Sequence, residues 1–393
     1  MSPLIEIVLL LIVAKILGEL AERAGFPALI GEVGAGALLG PLIFNLVSPN
    51  ETIEFLATIG IITLLFISGA QINLQAFSRT AKPGAYTAVA GVAVPLVAGV
   101  SLGVLAGFPP IETLFLGIAL SVTSIGISVR TLIDLHQLKS EVGMIIVSAA
   151  VIDDVIGIVL LALLTAVAGG ATGVASLLPT FAAMAIFLVA IFTLGKPVMG
   201  WIFEKAQKAH THEMSYSAAL LIALVTAVLS NSAGLHYAIG AFIAGLLLGD
   251  HIRKDRMLFD SLIDFSFGFF VTIFFASIGL LFSRESGAIL LPFILILVLV
   301  AFGTKIVGGM AGSFPALRDL KRSFLVGLGL CPRGEIGLVV AKISLLAGII
   351  TGDLFTAVTL MIIASILISP LLLTAGFGRA GYPTRGLQSE GER

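Results

Sequence analysis

The chain has 393 residues, of which 58% are hydrophobic and 11% charged, with a net charge of −1. A water-soluble domain carries about 25% charged residues. Less than half that share, with a mean hydropathy of +1.13, excludes a soluble globular protein and leaves an integral membrane protein. The charge balance singles out no partner, and no nucleic-acid partner is expected. One cysteine, Cys331, excludes an intrachain disulfide framework.

The start, M-S-P-L-I-E-I-V-L-L-L-I-V-A-K, lacks a basic n-region and carries Glu6, so it reads as a spanning helix and not as a cleaved signal. A span needs about 20 mostly apolar residues. Reading between polar and Pro/Gly breaks gives thirteen, near 3–21, 27–47, 53–72, 85–107, 112–133, 142–168, 177–201, 214–231, 236–249, 262–282, 287–311, 322–347 and 353–377. Alternate loops then separate by charge. One set holds Arg23; Arg79 and Lys82; Lys139; Lys205 and Lys208; Arg253, Lys254 and Arg256; Arg318, Lys321 and Arg322; and the tail arginines Arg379, Arg385 and Arg393. The other holds only Arg284. The positive-inside rule makes the first set cytoplasmic. The N-terminus is then outside and the C-terminus inside, and a multi-pass protein of the cell membrane is expected.

Residues 30–41, I-G-E-V-G-A-G-A-L-L-G-P, and 239–250, I-G-A-F-I-A-G-L-L-L-G-D, match at seven of twelve positions with an offset of 209. The same offset carries Thr63, Phe66 and Ser68 onto Thr272, Phe275 and Ser277. It predicts a first six-helix repeat over 1–168, a linker helix over 177–201, a second repeat over 214–377 and a cytoplasmic tail over 378–393. Equivalent helices lie an odd number of spans apart, so the repeats face opposite ways. Inverted repeats of this kind mark transporters with a midplane site.

Span 5 contains S-V-T-S-I-G-I-S and span 12 contains G-L-C-P-R-G-E-I-G, at equivalent positions. Pro332 removes a helical N–H and clashes with the preceding turn. Ser121, Thr123 and Ser124 offer hydroxyls to freed backbone groups. Both spans are therefore expected to break, with Cys331, Pro332, Arg333 and Glu335 in the second unwound stretch. Broken helices at repeat-related positions point to a binding site, and freed carbonyls and hydroxyls suit a small hard cation.

Four charged features lie within spans: Asp153, Asp154, Lys305 and the Arg333/Glu335 pair. An Asp, Lys or Arg at a helix centre costs roughly 2.5–3.5 kcal/mol on the insertion scale, and such residues are functional by default. Lys305, in A-F-G-T-K-I-V-G-G, is read as the only lysine near a midplane and the obvious partner for an aspartate. Adjacent helical residues point about 100° apart, so one aspartate faces Lys305 and the other faces a cavity. Arg333 and Glu335 are expected to offset opposing half-helix dipoles or to pair with each other. Glu32 is either an acid on an ion path or an interfacial carboxylate bonded to a neighbour. Arg130 and Asp134 form an i,i+4 pair. His236 reads as a satisfied helix-start residue, and His210 and His212 as solvated loop residues.

The cluster suggests exchange by competition. With one aspartate protonated and Lys305 bridging the other, the cluster is neutral. Na⁺ binds when that aspartate loses its proton and Lys305 releases its partner and sheds its own. Two protons then leave for one Na⁺, the site's charge changes by one unit, and the exchange is electrogenic. No cofactor is expected, only the transported ions. Two other classes fit less well. An intramembrane aspartyl protease needs its acids on separate helices with a G-x-G-D motif, and this chain offers only L-L-L-G-D at a span end. A sodium-coupled organic solute symporter leaves Lys305 without a role.

The motifs I-G-E-V-G-A-G-A-L-L-G-P, S-V-T-S-I-G-I-S-V-R, A-A-V-I-D-D-V-I-G, G-T-K-I-V-G-G and P-R-G-E-I-G-L resemble those of the monovalent cation:proton antiporter superfamily, in particular the prokaryotic NapA-type sodium/proton antiporters. The resemblance covers nearly the whole chain. It implies an all-α NhaA-like fold with two crossed discontinuous helices. It implies a core bundle from spans 4–6 and 11–13, and a dimer or panel bundle from spans 1–3 and 8–10. It assigns Asp154 to the ion and the Asp153–Lys305 pair to a salt bridge; together with a hydroxyl of the first break, the expected Na⁺ ligands are Asp153, Asp154 and Thr123. It also implies a homodimer through spans 1 and 8. Na⁺ is favoured over K⁺, because related potassium exchangers usually carry Q-D where this chain carries D-D, and Li⁺ is a further candidate. The short tail after residue 378 suggests that no nucleotide-binding domain is attached.

Overall fold

The computed structural model describes residues 2–72, 74–168, 178–209, 211, 213–281 and 291–382. His210, His212, Arg284, Arg385 and Arg393 lie outside the described residues, as do the side chains of Glu335 and Lys342.

Among the described residues all regular structure is helical, which is what an apolar chain needs to satisfy its backbone within each segment. The first repeat comprises α1 (Pro3–Arg23), α2 (Ala28–Leu39), α3 (Glu51–Gln71), α4 (Leu74–Leu105), α5 (Pro110–Ser121), α6 (Ile125–Asp134) and α7 (Glu141–Ala168). A helix with a π-helical turn at its middle follows, formed by α8 (Leu178–Ala190) and α9 (Lys196–Gln207). The second repeat comprises α10 (Glu213–Ser232), α11 (Tyr237–Ile252), α12 (Arg256–Phe265), α13 (Val271–Leu280), α14 (Leu291–Leu317), α15 (Leu320–Gly329), α16 (Glu335–Leu346) and α17 (Gly352–Arg379). A second π-helical turn, Ser266–Phe270, joins α12 to α13.

Two pairs of helix starts keep close to the spacing of 209 found in the sequence. Tyr237 opens α11 209 residues after Ala28 opens α2, and Leu320 opens α15 210 residues after Pro110 opens α5. Among the described residues nine helical segments are long and apolar enough to cross a membrane. The equivalent pair α2 and α11 are apolar but have only 12 and 16 residues. At 1.5 Å per residue these reach roughly 18 and 24 Å, short of a hydrocarbon core about 30 Å thick.

Several helices outrun the apolar stretches that announce them. α4 begins at Leu74 and not near 85, so Arg79 and Lys82 are helical and not in a loop. α9 carries Lys205, and α12 carries Arg256. A hydropathy reading stops where polar residues begin, whereas helical hydrogen bonding continues beyond the bilayer. Polar caps set other ends. Asn50 caps α3 by accepting from Ile53 N at 3.0 Å, and His236 caps α11 by accepting from Ala238 N at 3.2 Å. Glu6, unexplained by sequence, accepts a 2.7 Å hydrogen bond from Asn50 Nδ2.

Contacts divide the chain into two units. One is Met1–Leu20, Gly31–Phe77 and Ala175–Ser283; the other is Ala21–Ile30, Ser78–Val174 and Arg284–Arg393. In the first unit α3 lies against both α11 and α13, and the approach is close because glycine lines it. A Cβ on Gly245 of α11 would stand 2.0 Å from the Phe66 carbonyl oxygen of α3, and one on Gly60 of α3 2.3 Å from the carbonyl oxygen of Phe270, the residue before α13. Backbone cannot yield there, so the helices touch only while these positions are bare. The second unit packs α14 on α15 and α17, and α7 on α5, α6 and α15. All the candidate ion ligands lie in it.

Gly245→Leu is expected to destabilise the fold by at least the roughly 1–3 kcal/mol of an overpacked core, read as a lower Tm in detergent. Gly34→Ala, with nothing within 4 Å of the new Cβ, should leave Tm unchanged or slightly raised. Equal Tm for both variants would refute the close-packing argument.

Candidate functional site

Helix α5 stops at Ser121, where Val122 turns extended (φ −69°, ψ 140°), and α6 resumes at Ile125. Helix α15 stops at Gly329, and α16 resumes at Glu335 beyond Pro332. The two unwound stretches touch: Ser124 N donates to the Pro332 carbonyl at 2.8 Å. Ser128 Oγ, one turn into α6, donates to Gly329 O at 2.7 Å. Gly334 is required at the crossing, since a Cβ there would lie 2.6 Å from Ser124 Oγ.

Each break leaves helix-end carbonyls that need donors. Arg333, fully buried, supplies them. Its Nη2 donates to Leu120 O at 2.6 Å and Ala301 O at 3.0 Å, and its Nη1 to Cys331 O at 3.2 Å. Leu120 lies in the last turn of α5, which ends at Ser121, and Cys331 follows α15, so one guanidinium sits at the negative ends of both half-helices. The Arg333 backbone N–H donates to Ser365 Oγ on α17 at 3.0 Å. Of the three hydroxyls expected to serve the first break, Ser121 bonds Ile118 O at 2.8 Å, while Thr123 Oγ1 bonds no backbone carbonyl. Arginine and the cross-break bond do that work instead, because a forked cation reaches several carbonyls at once.

Lys305 is fully buried on α14, and its Nζ donates to Asp153 Oδ2 on α7 at 3.0 Å. The small residues beside it have a packing reason. Gly309 lets α14 approach Gly327 of α15, and Gly308 lets it approach Ala90 of α4. Asp154 is 1% exposed and Asp153 2%. Asp153 Oδ1 is buried without a hydrogen bond. Thr123 stands close enough to Asp153 to act on its charge, and Arg333 acts on both members of the ion pair through space. Cys331, fully buried, directs its thiol at Gly327 O at 3.3 Å. The structure thus gathers Asp153, Asp154, Lys305, Thr123, Ser124, Pro332 and Arg333 in one unit.

Glu32 is not among them. It lies in the other unit, 2% exposed, accepting from Thr272 Oγ1 at 2.9 Å, with Lys15 Nζ at 3.9 Å. Lys15 is a further lysine within a helix read as a span, one the sequence reading passed over: it lies inside α1, half exposed, and donates to Phe267 O at 2.8 Å. Its signal was plain, a charge among apolar residues of the first span. Ser365 and the Ala301 carbonyl were missed with no signal in sequence. Arg130 and Asp134 pair at 3.1 Å.

Crossed broken helices capped by a buried arginine, beside a buried acid–lysine pair, define a helical ion transporter. The chain belongs to the sodium/hydrogen exchanger family, whose transmembrane domain matches residues 8–375. It is 31% identical over 372 residues to a probable Na⁺/H⁺ antiporter, GerT, of Bacillus cereus, covering 95% of this chain and 98% of that one. It is 31% identical over 373 residues to a Na⁺/H⁺ antiporter of Enterococcus hirae, covering 94% and 97%. The Na⁺/H⁺-K⁺ antiporter GerN of Bacillus cereus is 30% identical over 373 residues, covering 95% and 96%. The sodium proton antiporter MjNhaP1 of Methanocaldococcus jannaschii, solved at pH 8, shares the fold with a TM-score of 0.71 at 17% identity, over 97% of this chain and 98% of that one.

Removing one partner of a buried ion pair costs about 3–5 kcal/mol because the other charge is left uncompensated. Lys305→Met should therefore lower Tm more than the double variant Lys305→Met/Asp153→Asn. Additive losses across this cycle would contradict the pairing. Arg333→Lys should not restore the stability lost in Arg333→Met, because one ammonium cannot span three carbonyls.

Proposed function

We propose that the chain exchanges Na⁺ for H⁺ across the cell membrane by competition at Asp153, Asp154 and Lys305. The observation that carries this reading is the 3.0 Å pair of Lys305 and Asp153, with Asp154 the next residue, beside two crossed helix breaks. In the proton-loaded state Asp154 is protonated and Lys305 bridges Asp153, so the charges sum to zero. In the sodium-loaded state both carboxylates are ionised, Lys305 is neutral and Na⁺ is held by Asp154, Asp153 and Thr123. Two protons leave as one Na⁺ enters, and the loaded states differ by one charge. Each charge carried across the membrane is worth about 2.3 kcal/mol per 100 mV, so the exchange is electrogenic.

Arg333 keeps the crossing intact by neutralising helix ends that would otherwise hold a cation of their own. In this reading the unit holding the site moves against the other unit to alternate access. The N-terminus is outside, the C-terminus cytoplasmic, and α1 and α10 form a homodimer contact. Glu32 is assigned a place on the ion path on its burial alone. Li⁺ is a further candidate cargo. K⁺ is the alternative one, favoured by the similarity to GerN, an antiporter named for both ions.

Flux in proteoliposomes tests the proposal. A Na⁺ gradient should drive proton movement in the opposite direction, and clamping the voltage should alter its rate. Asp154→Asn should abolish it; an unaltered response would overturn the assignment. Lowering the pH should weaken apparent Na⁺ affinity by about 10-fold per unit for each proton displaced, hence up to ~100-fold where both are bound. A Na⁺ affinity independent of pH would sink the competition.

A further inference from the structure

Away from the ion site, the C-terminal half of α17 and the first turns of α15 enclose a groove of about 450 Å³. Its wall is apolar, with Phe324 41% and Leu372 38% exposed, and its floor lies over the buried Leu325 and Leu328. Gly376 keeps the floor open, since a Cβ there would stand 2.8 Å from Leu325 and 2.9 Å from Leu328. Two cations, Lys321 and Arg379, line the same groove. Neither makes an ion pair among the described residues.

Their neighbours sharpen the contrast. Arg322, next to Lys321, is committed to Glu141 at 2.5 Å. The nearest carboxylate in sequence, Asp319, is turned to its own helix and accepts from the N–H groups of Lys321 and Arg322 at 2.8 and 3.1 Å. Lys321 also lies in the first turn of α15, where the helix end adds positive potential. The groove therefore joins two cations that have no carboxylate partner among the described residues to a hydrocarbon wall, with Arg379 partly offset by the C-terminal end of α17. Its volume falls within the ~300–1,000 Å³ of small-molecule sites.

We propose that this groove seats an anionic glycerophospholipid, its phosphate held by Lys321 and Arg379 and the start of one acyl chain lying along Phe324 and Leu372. A free inorganic anion would leave the apolar wall wet, and a zwitterionic lipid would bring its own cation to the two that wait there. Basic pockets between helices at a membrane surface bind acidic headgroups on this principle.

Native mass spectrometry of the full chain in detergent tests it, with dioleoyl phosphatidylglycerol, dioleoyl phosphatidylcholine and inorganic phosphate as probes. The wild-type chain should retain phosphatidylglycerol over phosphatidylcholine. K321Q or R379Q should weaken that retention about 5-fold each and the double variant about 25-fold. A375F, which fills the groove and leaves both charges, should also weaken it. K254Q, removing an exposed cation of the other unit, should not. Equal retention of the two lipids, phosphatidylglycerol retained fully by the double variant or by A375F, or phosphate bound as tightly as the lipid, would each overturn the proposal.

Discussion

One buried ion pair governs this molecule. Lys305 and Asp153 are both removed from solvent, and each alone would cost several kcal/mol of lost hydration. At 3.0 Å their attraction offsets that cost. Either can change its charge only if something else supplies compensation. A pair held this way couples protonation to whatever else enters its surroundings. Asp154, adjacent in sequence and equally buried, raises the stakes. A second carboxylate buried one residue from the pair leaves two acids and one lysine out of contact with solvent within the same unit.

The scaffold around the pair meets a different constraint. Two helices unwind side by side, and unwound backbone survives in a membrane only when its polar groups find partners. Here Arg333 serves Leu120, Cys331 and Ala301, and the two strands of the crossing bond each other. The cation that might have complicated ion binding is thus spent on structure. The two halves related by the sequence offset differ in their charged residues. The offset of 209 that aligns the breaks sets Asp153 and Asp154 against Ile362 and Ile363, and Lys305 against Leu96. The first repeat supplies the acids, and the second supplies the lysine and the arginine.

Much of this was legible because a bilayer makes polar residues conspicuous. Pro332 and the hydroxyl cluster near Thr123 marked the breaks, and the repeat located one from the other. Intramembrane charges marked the site. Helix ends such as Leu74 of α4 were not legible, because hydropathy reports where lipid begins and not where helical bonding stops. The partners of Arg333 are backbone carbonyls, which every residue carries, so no sequence pattern points to them. Ser365 is one serine among many on its helix. Lys15 was legible and passed over: its charge inside α1 carried the same signal as Lys305, and its link through Glu32 to Thr272 joins helices from both repeats.

The central claim is that protons and a metal ion exclude one another from a single pocket. Its most direct test needs no membrane gradient: Na⁺ is titrated into purified, weakly buffered protein and the protons released are counted. The account predicts close to two protons released for each Na⁺ bound, falling to none in a variant lacking the Asp154 carboxylate. Sodium binding with no proton release would contradict it.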